Sequence, residues 1–263
     1  MFQRGRQHRY VAAVFLAGLF LAAGGWALLR VAWSPDHARR WALAVVLALP
    51  VLIWRLRTAF SKEPEKLPES CYPGLANQLT VFRGLLICLL VGFLFLRAPD
   101  GALAWAPCLI FSTALIMDGL DGFLARLRRE TSAFGAFLDL DLDALGTLVG
   151  ILVAVHYARL PDWYILAGIA YYLFSGGKWW RAERGLVLRP LPASRYRRLV
   201  AGAQSVFIAV ALLPVTTLSI SGTTAALVIV PVLAGFLRDW WVVAGYGIRA
   251  WSSESPRARR PSR

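Results

Sequence analysis

Charge is scarce in this chain. Asp, Glu, Lys and Arg make up 17% of its 263 residues against 58% hydrophobic, whereas a water-soluble domain carries about a quarter charged residues. That excludes an ordinary soluble globule. Cysteine and histidine are rarer, three of each. Cys71, Cys88 and Cys108 lack metal-like spacing; Cys88 and Cys108 lie in apolar runs and read as buried small hydrophobes. His8, His37 and His156 are scattered at helix ends and read as solvated loop residues. No internal repeat is visible. No small-x-small cleavage site ends the first apolar run, Tyr10 to Trp33, which is also too long for a signal peptide's core, so a retained first span is expected. Acids are half as common as bases, 15 against 29, for a net charge of +14. Nucleic acid is a poor partner for that charge, because no soluble basic domain exists to carry it.

What the chain does have is long apolar runs, enough for a polytopic helical membrane protein. Eight spans are expected, at about 10–32, 41–56, 78–96, 102–126, 135–156, 162–177, 198–218 and 222–247. With the N-terminus inside, 23 of the 29 Lys and Arg fall on inner segments, the bias that sets orientation. Both termini and the 126–134 connector come out cytoplasmic, which in a bacterium means the inner membrane. A proline-punctuated, mixed-charge segment, S-K-E-P-E-K-L-P-E-S-C-Y-P-G from Ser61 to Gly74, divides the chain. The expected units are a two-helix extension over 1–60, a linker over 61–74, a six-helix membrane domain over 75–250 and a basic tail over 251–263. The first two spans hold no polar cluster and read as packing or assembly helices, the second kinked at Pro50.

The exception to this apolar character lies between Asp118 and Asp143. D-G-L-D-G-F-L-A-R is followed by a short basic connector and then by G-A-F-L-D-L-D-L-D. Asp118, Asp121, Gly122 and Ala125 share one helical face, and Gly135, Asp139 and Asp143 share another. The short connector makes the two helices an antiparallel pair, so the acid-bearing faces can meet at one end. Four carboxylates at membrane depth are costly unless something positive lies among them. All-oxygen ligands suit a hard cation such as Mg²⁺ or Mn²⁺ and disfavour zinc. Two ions, in such sites about 3.5–4 Å apart, would offset the acids and still attract a pyrophosphate. Arg126, about one turn beyond Asp121, can reach the same phosphates, and a carboxylate left partly free can take a proton from an attacking hydroxyl. Together these compose an in-line substitution at phosphorus.

The stretch D-x2-D-G-x2-A-R-x8-G-x3-D-x3-D resembles the signature of the CDP-alcohol phosphotransferase family, with every fixed position filled from Asp118 to Asp143. Upstream, Asn77, Leu79, Thr80 and Arg83 resemble the family's N-x-L-T-x2-R element. Downstream, R-R-L-V-A-G-A-Q, Arg197 to Gln204, is similar to a basic-x-x-A-G-x-Q element. The resemblance covers roughly residues 72 to 250 and leaves the first two spans outside. It implies an all-α, six-helix core, here preceded by two extra transmembrane helices, with a homodimeric assembly and a cytoplasmic-side cavity. It implies transfer of a substituted phosphate from a CDP-linked donor to an alcohol, releasing CMP. By motif position, Asp118, Asp121 and Asp139 would hold metal, and Asp143 would be the general base and a further metal ligand. Asn77, Thr80, Gly122, Ala125, Arg126 and Gly135 would form the cytidine diphosphate site. The donor reads as CDP-diacylglycerol and the acceptor as a polar alcohol. The same motif serves CDP-choline or CDP-ethanolamine with diacylglycerol as acceptor, and the acids do not separate the two.

Other readings stay open on the residues alone. Membrane prenyltransferases also arrange Asp-rich helices around Mg²⁺, but with their two motifs far apart in sequence, and ion-paired acids can line a transporter. The segment from Gly176 to Arg198 mixes bases with tryptophans and reads both as an interfacial anchor and as a basic wall for phosphate. The wall would be carried by whichever of Lys178, Arg181, Arg195, Arg197 and Arg198 turns inward. The candidates for contact with acceptor or phosphate are Lys178, Arg195 and Arg198, with Arg83 from the third span. Asp141 points away from the acid cluster by helical geometry, and Arg238 and Asp239 read as an interfacial pair.

Overall fold

The computed structural model describes residues 2–61, 74–128, 133–192, 194–215 and 222–245. Among them every regular element is helical: α1 Phe2–Ala32, α2 Pro35–Ser61, α3 Leu75–Val91, α4 Ala106–Arg128, α5 Ala133–His156, α6 Ile165–Glu183, α7 Arg195–Ala211 and α8 Gly222–Ala244. One-turn 3-10 helices, Gly101–Trp105 and Asp162–Tyr164, lead into α4 and α6.

Four segments, Gly5–Ala32, Pro35–Ser61, Gly101–Phe123 and Gly222–Ala244, are long and apolar enough to cross a bilayer. Large apolar side chains also face outward, Phe20 78% and Val31 89% exposed. In water such a surface would drive aggregation, and in lipid it is the expected exterior. The protein is an integral membrane protein.

Glycines let the helices approach closely. The α1–α2 turn is set by Ser34, whose Oγ accepts from the His37 N–H at 3.3 Å, with Pro35 starting α2. Along the hairpin, a β-carbon on Gly18 would meet Leu49 at 2.4 Å and one on Gly25 would meet Trp41 at 2.3 Å. Trp41 also fills the space over Gly92 at the end of α3, where a β-carbon would lie 2.4 Å from its indole. Leu52 presses on Gly84 of α3 in the same way, at 2.6 Å. The extension therefore packs into the surface of α3 and α5. Val45, Leu49, Leu52 and Leu56 line this seam and are almost fully buried.

Each of the eight expected spans overlaps one of the eight α-helices among the described residues, with corrected ends, and four of those stretches are of bilayer length. α2 starts at Pro35 and runs to Ser61 because its polar ends continue the helix beyond the apolar stretch; Pro50 lies inside it. α3 stops at Val91, five residues short of the expected end, where the chain turns beneath Trp41. α6 continues through Gly176 and Gly177 to Glu183. Gly177 packs against Trp240 of α8, with 2.7 Å left for a β-carbon, so this glycine makes room for an aromatic side chain inside the helix. α7 ends at Ala211, before Pro214. The linker over 62–73, the connector at 129–132 and the tail from 246 lie outside the described residues.

Cys88 and Cys108 are buried free thiols, as expected; Cys71 is outside the described residues. Two histidines are not solvated loop residues. His37 lies 2.6 Å from Ser34 Oγ and stacks on Trp33, and the His156 ring lies 2.9 Å from the Leu96 carbonyl. At a helix end in a membrane a backbone carbonyl needs a donor, and His156 can supply one.

Candidate active site

Helix α4 carries Asp118 and Asp121 and α5 carries Asp139 and Asp143, while α3 contributes Thr80 and Arg83. The antiparallel pair brings oxygens of Asp118, Asp121 and Asp139 within 4.8 Å of one another. Asp121 is the most deeply set, 5% exposed, and accepts from the Thr80 hydroxyl at 2.8 Å. Arg83, 3% exposed, lies among the acids. Its guanidinium donates to Asp118, to Asp139 Oδ1 at 2.8 Å and to the Asp139 carbonyl at 3.0 Å. It also lies 3.0 Å from Asp143 Oδ1. Arg83 is thus a built-in counter-ion bonded to carboxylates, and it also lines the cavity beside them.

One guanidinium does not balance four acids, so the cluster keeps an affinity for cations. The donor set is all oxygen. Opposite ligands of an octahedral Mg²⁺ at about 2.1 Å are about 4.2 Å apart, so the trio fits a hard cation with little movement. Asp143 stands beside the trio with its side chain 49% exposed.

Arg83, Asp118 and Asp143 of the cluster line a cavity of about 720 Å³ whose wall draws on helices α3 to α8, within the range of small-molecule sites. Beyond Asp118 and Asp143 its wall includes Tyr171 and Lys178 of α6, Gln204 of α7 and Asp239 of α8. Of the bases expected in the 176–198 segment, Lys178, Arg197 and Arg198 reach this wall. Arg195 is exposed at the start of α7. Arg181 instead donates to the carbonyls of Val187 and Ala244, at 3.2 and 3.1 Å, tying the chain after α6 to the end of α8. Asp239 is buried and paired at 3.0 Å with both Arg197 and Arg238.

The other motif positions lie on the same three helices as Thr80, Arg83 and the acids. Asn77 is half-buried in the first turn of α3, and Gly122 and Gly135 are half-buried on α4 and α5. The side chains of Ala125 and Arg126 lie outside the described set. Asp141 leaves the cluster as expected, but it is buried and paired with Arg55 of α2 at 3.1 Å. Sequence reasoning missed Gln204, which is 6% exposed and whose amide nitrogen has no partner among the described residues. Its place in the A-G-x-Q element was the available signal. Tyr171 offered none, being one aromatic among many in apolar sequence.

Residues 74–251 match the family model described as CDP-alcohol phosphatidyltransferase. Among curated proteins, the chain is similar to the CDP-diacylglycerol--glycerol-3-phosphate 3-phosphatidyltransferase of Salmonella choleraesuis, 38% identical over 121 residues, which cover 43% of this chain and 62% of that protein. The protein of the same name from Yersinia pestis (strain Pestoides F) is 37% identical over 121 residues, with the same coverage. That from Wigglesworthia glossinidia brevipalpis is 30% identical over 112 residues, 41% of this chain and 59% of its own. The chain thus spans about three fifths of the length of these relatives. Helices α1 and α2 precede the matched region, which contains Arg83 and the four acids. By the extent of that match, the chain belongs to the CDP-alcohol phosphatidyltransferase family.

Proposed function

We propose that the protein transfers a phosphatidyl group from CDP-diacylglycerol to a polar alcohol and releases CMP, with glycerol 3-phosphate, the acceptor in its relatives' name, as the acceptor. The observation that carries this reading is the oxygen trio of Asp118, Asp121 and Asp139, joined through Asp118 and the neighbouring Asp143 to a large cavity. The trio and Asp143 would hold Mg²⁺ or Mn²⁺, two ions by the number of acids; bound there, the metal would offset the charge of the donor's pyrophosphate and favour the departure of CMP.

The chain's own residues do the rest. Asn77, Thr80 and Arg126 contact the cytidine diphosphate, and Gly122, Ala125 and Gly135 leave it room. Asp143 accepts the proton of the acceptor hydroxyl as that oxygen bonds to the phosphorus bearing diacylglycerol. The phosphorus–oxygen bond to CMP breaks, and the bonding pair leaves with CMP. Lys178 and Arg198, with the unpartnered amide of Gln204, suit a phosphate-bearing acceptor. Arg195, exposed, has the least support as a contact.

The same reading assigns eight spans, both termini and the acid cluster to the cytoplasmic side, a bacterial inner membrane and a homodimer. It divides the chain at 1–60, 61–74, 75–250 and 251–263. The test is to incubate purified full-length protein with CDP-diacylglycerol, Mg²⁺ and either glycerol 3-phosphate, inositol phosphate or an uncharged alcohol, and to identify the lipid by mass. CMP release and phosphatidylglycerol phosphate, both lost with a chelator, are expected. Product from CDP-choline and diacylglycerol instead would overturn the donor assignment.

A further inference from the structure

The two N-terminal helices lie outside the family match, yet one of them is bonded to the back of the acid-bearing helix. Asp141 sits two residues from Asp139 and two from Asp143. At about 100° per residue its side chain leaves α5 on the face opposite theirs. It is 8% exposed, and its Oδ1 is 3.1 Å from the Arg55 guanidinium of α2. Arg55 is held in turn over the ring of Trp54, 4.6 Å from its centroid. On either side of the pair, Phe60 of α2 packs on Phe134 of α5 with ring centroids 4.6 Å apart, and Leu52 packs at Gly84 alongside Leu142.

We infer that the Arg55–Asp141 ion pair makes α2 part of the active-site scaffold, fixing the rotation of α5 and hence where Asp139 and Asp143 point. On its front face α5 is already tied by Arg83 through Asp139 and Asp143. The rest of its packing is largely apolar and lets a helix turn a few degrees at little cost. A directional charge pair on its back face adds an angular constraint that Leu and Phe packing lacks. Arg55 and Asp141 are therefore positioning residues, acting through Asp139 and Asp143. The catalytic meaning of this rests on the proposed phosphatidyl transfer, whereas the geometric claim rests only on cation binding by the acids.

Electrostatics and positioning predict opposite signs. Removing the positive charge of Arg55 leaves Asp141 unbalanced near the cluster, and through-space Coulomb attraction would then tighten binding of a divalent cation. Loss of positioning would weaken it. The experiment is an electron paramagnetic resonance titration of full-length protein with Mn²⁺, in detergent, for the parent, Arg55→Lys, Arg55→Gln and the Arg55→Met/Asp141→Leu double variant. Residues that orient metal ligands are worth about 10–100-fold in affinity, so Arg55→Gln should weaken Mn²⁺ binding at least tenfold, with Arg55→Lys within threefold of the parent. The double variant leaves no buried unpaired charge and so retains the fold; it should still bind Mn²⁺ at least threefold more weakly. Equal or tighter binding in Arg55→Gln overturns the inference. Where Arg55→Gln does not fold, parent-like binding in the double variant overturns it, leaving the pair a structural tie alone. Should the parent release no CMP from CDP-diacylglycerol while the Mn²⁺ shifts appear, the proposed reaction falls and the positioning role stands. CMP release by the parent with no Mn²⁺ shift in the variants has the reverse meaning.

Discussion

Two polar clusters on the wall of one cavity are built as opposites. In the first, one buried arginine, Arg83, holds Asp118, Asp139 and Asp143, while Thr80 serves Asp121. In the second, two arginines, Arg197 and Arg238, hold one buried acid, Asp239. Each uses a buried ion of one sign to gather ions of the other, because a lone charge at that depth is costly. The surplus is what remains for a ligand. The first cluster is left negative and suits cations; the second, with Lys178 and Arg198 beside it, is left positive and suits anions. A donor carrying metal at one end of the cavity and a phosphorylated acceptor at the other would meet near Asp143.

The sharpest way to break this contrast is at Asp143. Asp143→Asn keeps the shape and removes the base, and CMP release should fall by about 10²–10⁴-fold, with helix content by circular dichroism unchanged. Next is the buried counter-ion. Arg83→Met leaves the acids facing one another and should destabilise the protein by about 3–5 kcal/mol, read as a lowered melting temperature without metal. Mn²⁺ should restore more of that loss in the variant than it adds to the parent. At the other cluster, Lys178→Ala or Arg198→Ala should raise the acceptor KM about tenfold, roughly one charge-assisted hydrogen bond, and leave the donor KM unchanged. An equal rise in both would erase the division of labour. The smallest effect is expected at Thr80→Val, about 1 kcal/mol for one hydrogen bond, seen as a modest shift in metal affinity.

How much of this could be read in advance depended on distance along the chain. The acids were legible because helical period alone puts Asp118 with Asp121 and Asp139 with Asp143, and the short connector brings the two helices together. The helical membrane character was legible because long apolar runs carry their own signal, and four of them are of bilayer length. Partners brought from remote segments were not. Arg83 reaches acids 35 and 56 residues away, and no local pattern encodes that pairing. Asp141 was rightly turned off the cluster, yet nothing near it in sequence pointed to Arg55. The end of α6 was not legible: the helix runs six residues past the apolar stretch to Glu183, through Gly177, which makes room for Trp240 of a remote helix. The fate of Arg126, whose side chain is outside the described set, stays with the motif.

The slot that holds Trp41 has a bearing on how the protein is made. Its floor is Gly25 and its roof is Gly92, one arriving from the ribosome before the tryptophan and the other after it. The first hairpin is synthesised whole before the third helix, so its side of the slot can be complete when that helix arrives. A bulky residue at position 92 would be felt during biogenesis, as a third helix that cannot dock and a protein cleared by quality control, before any chemistry at the acids could be measured.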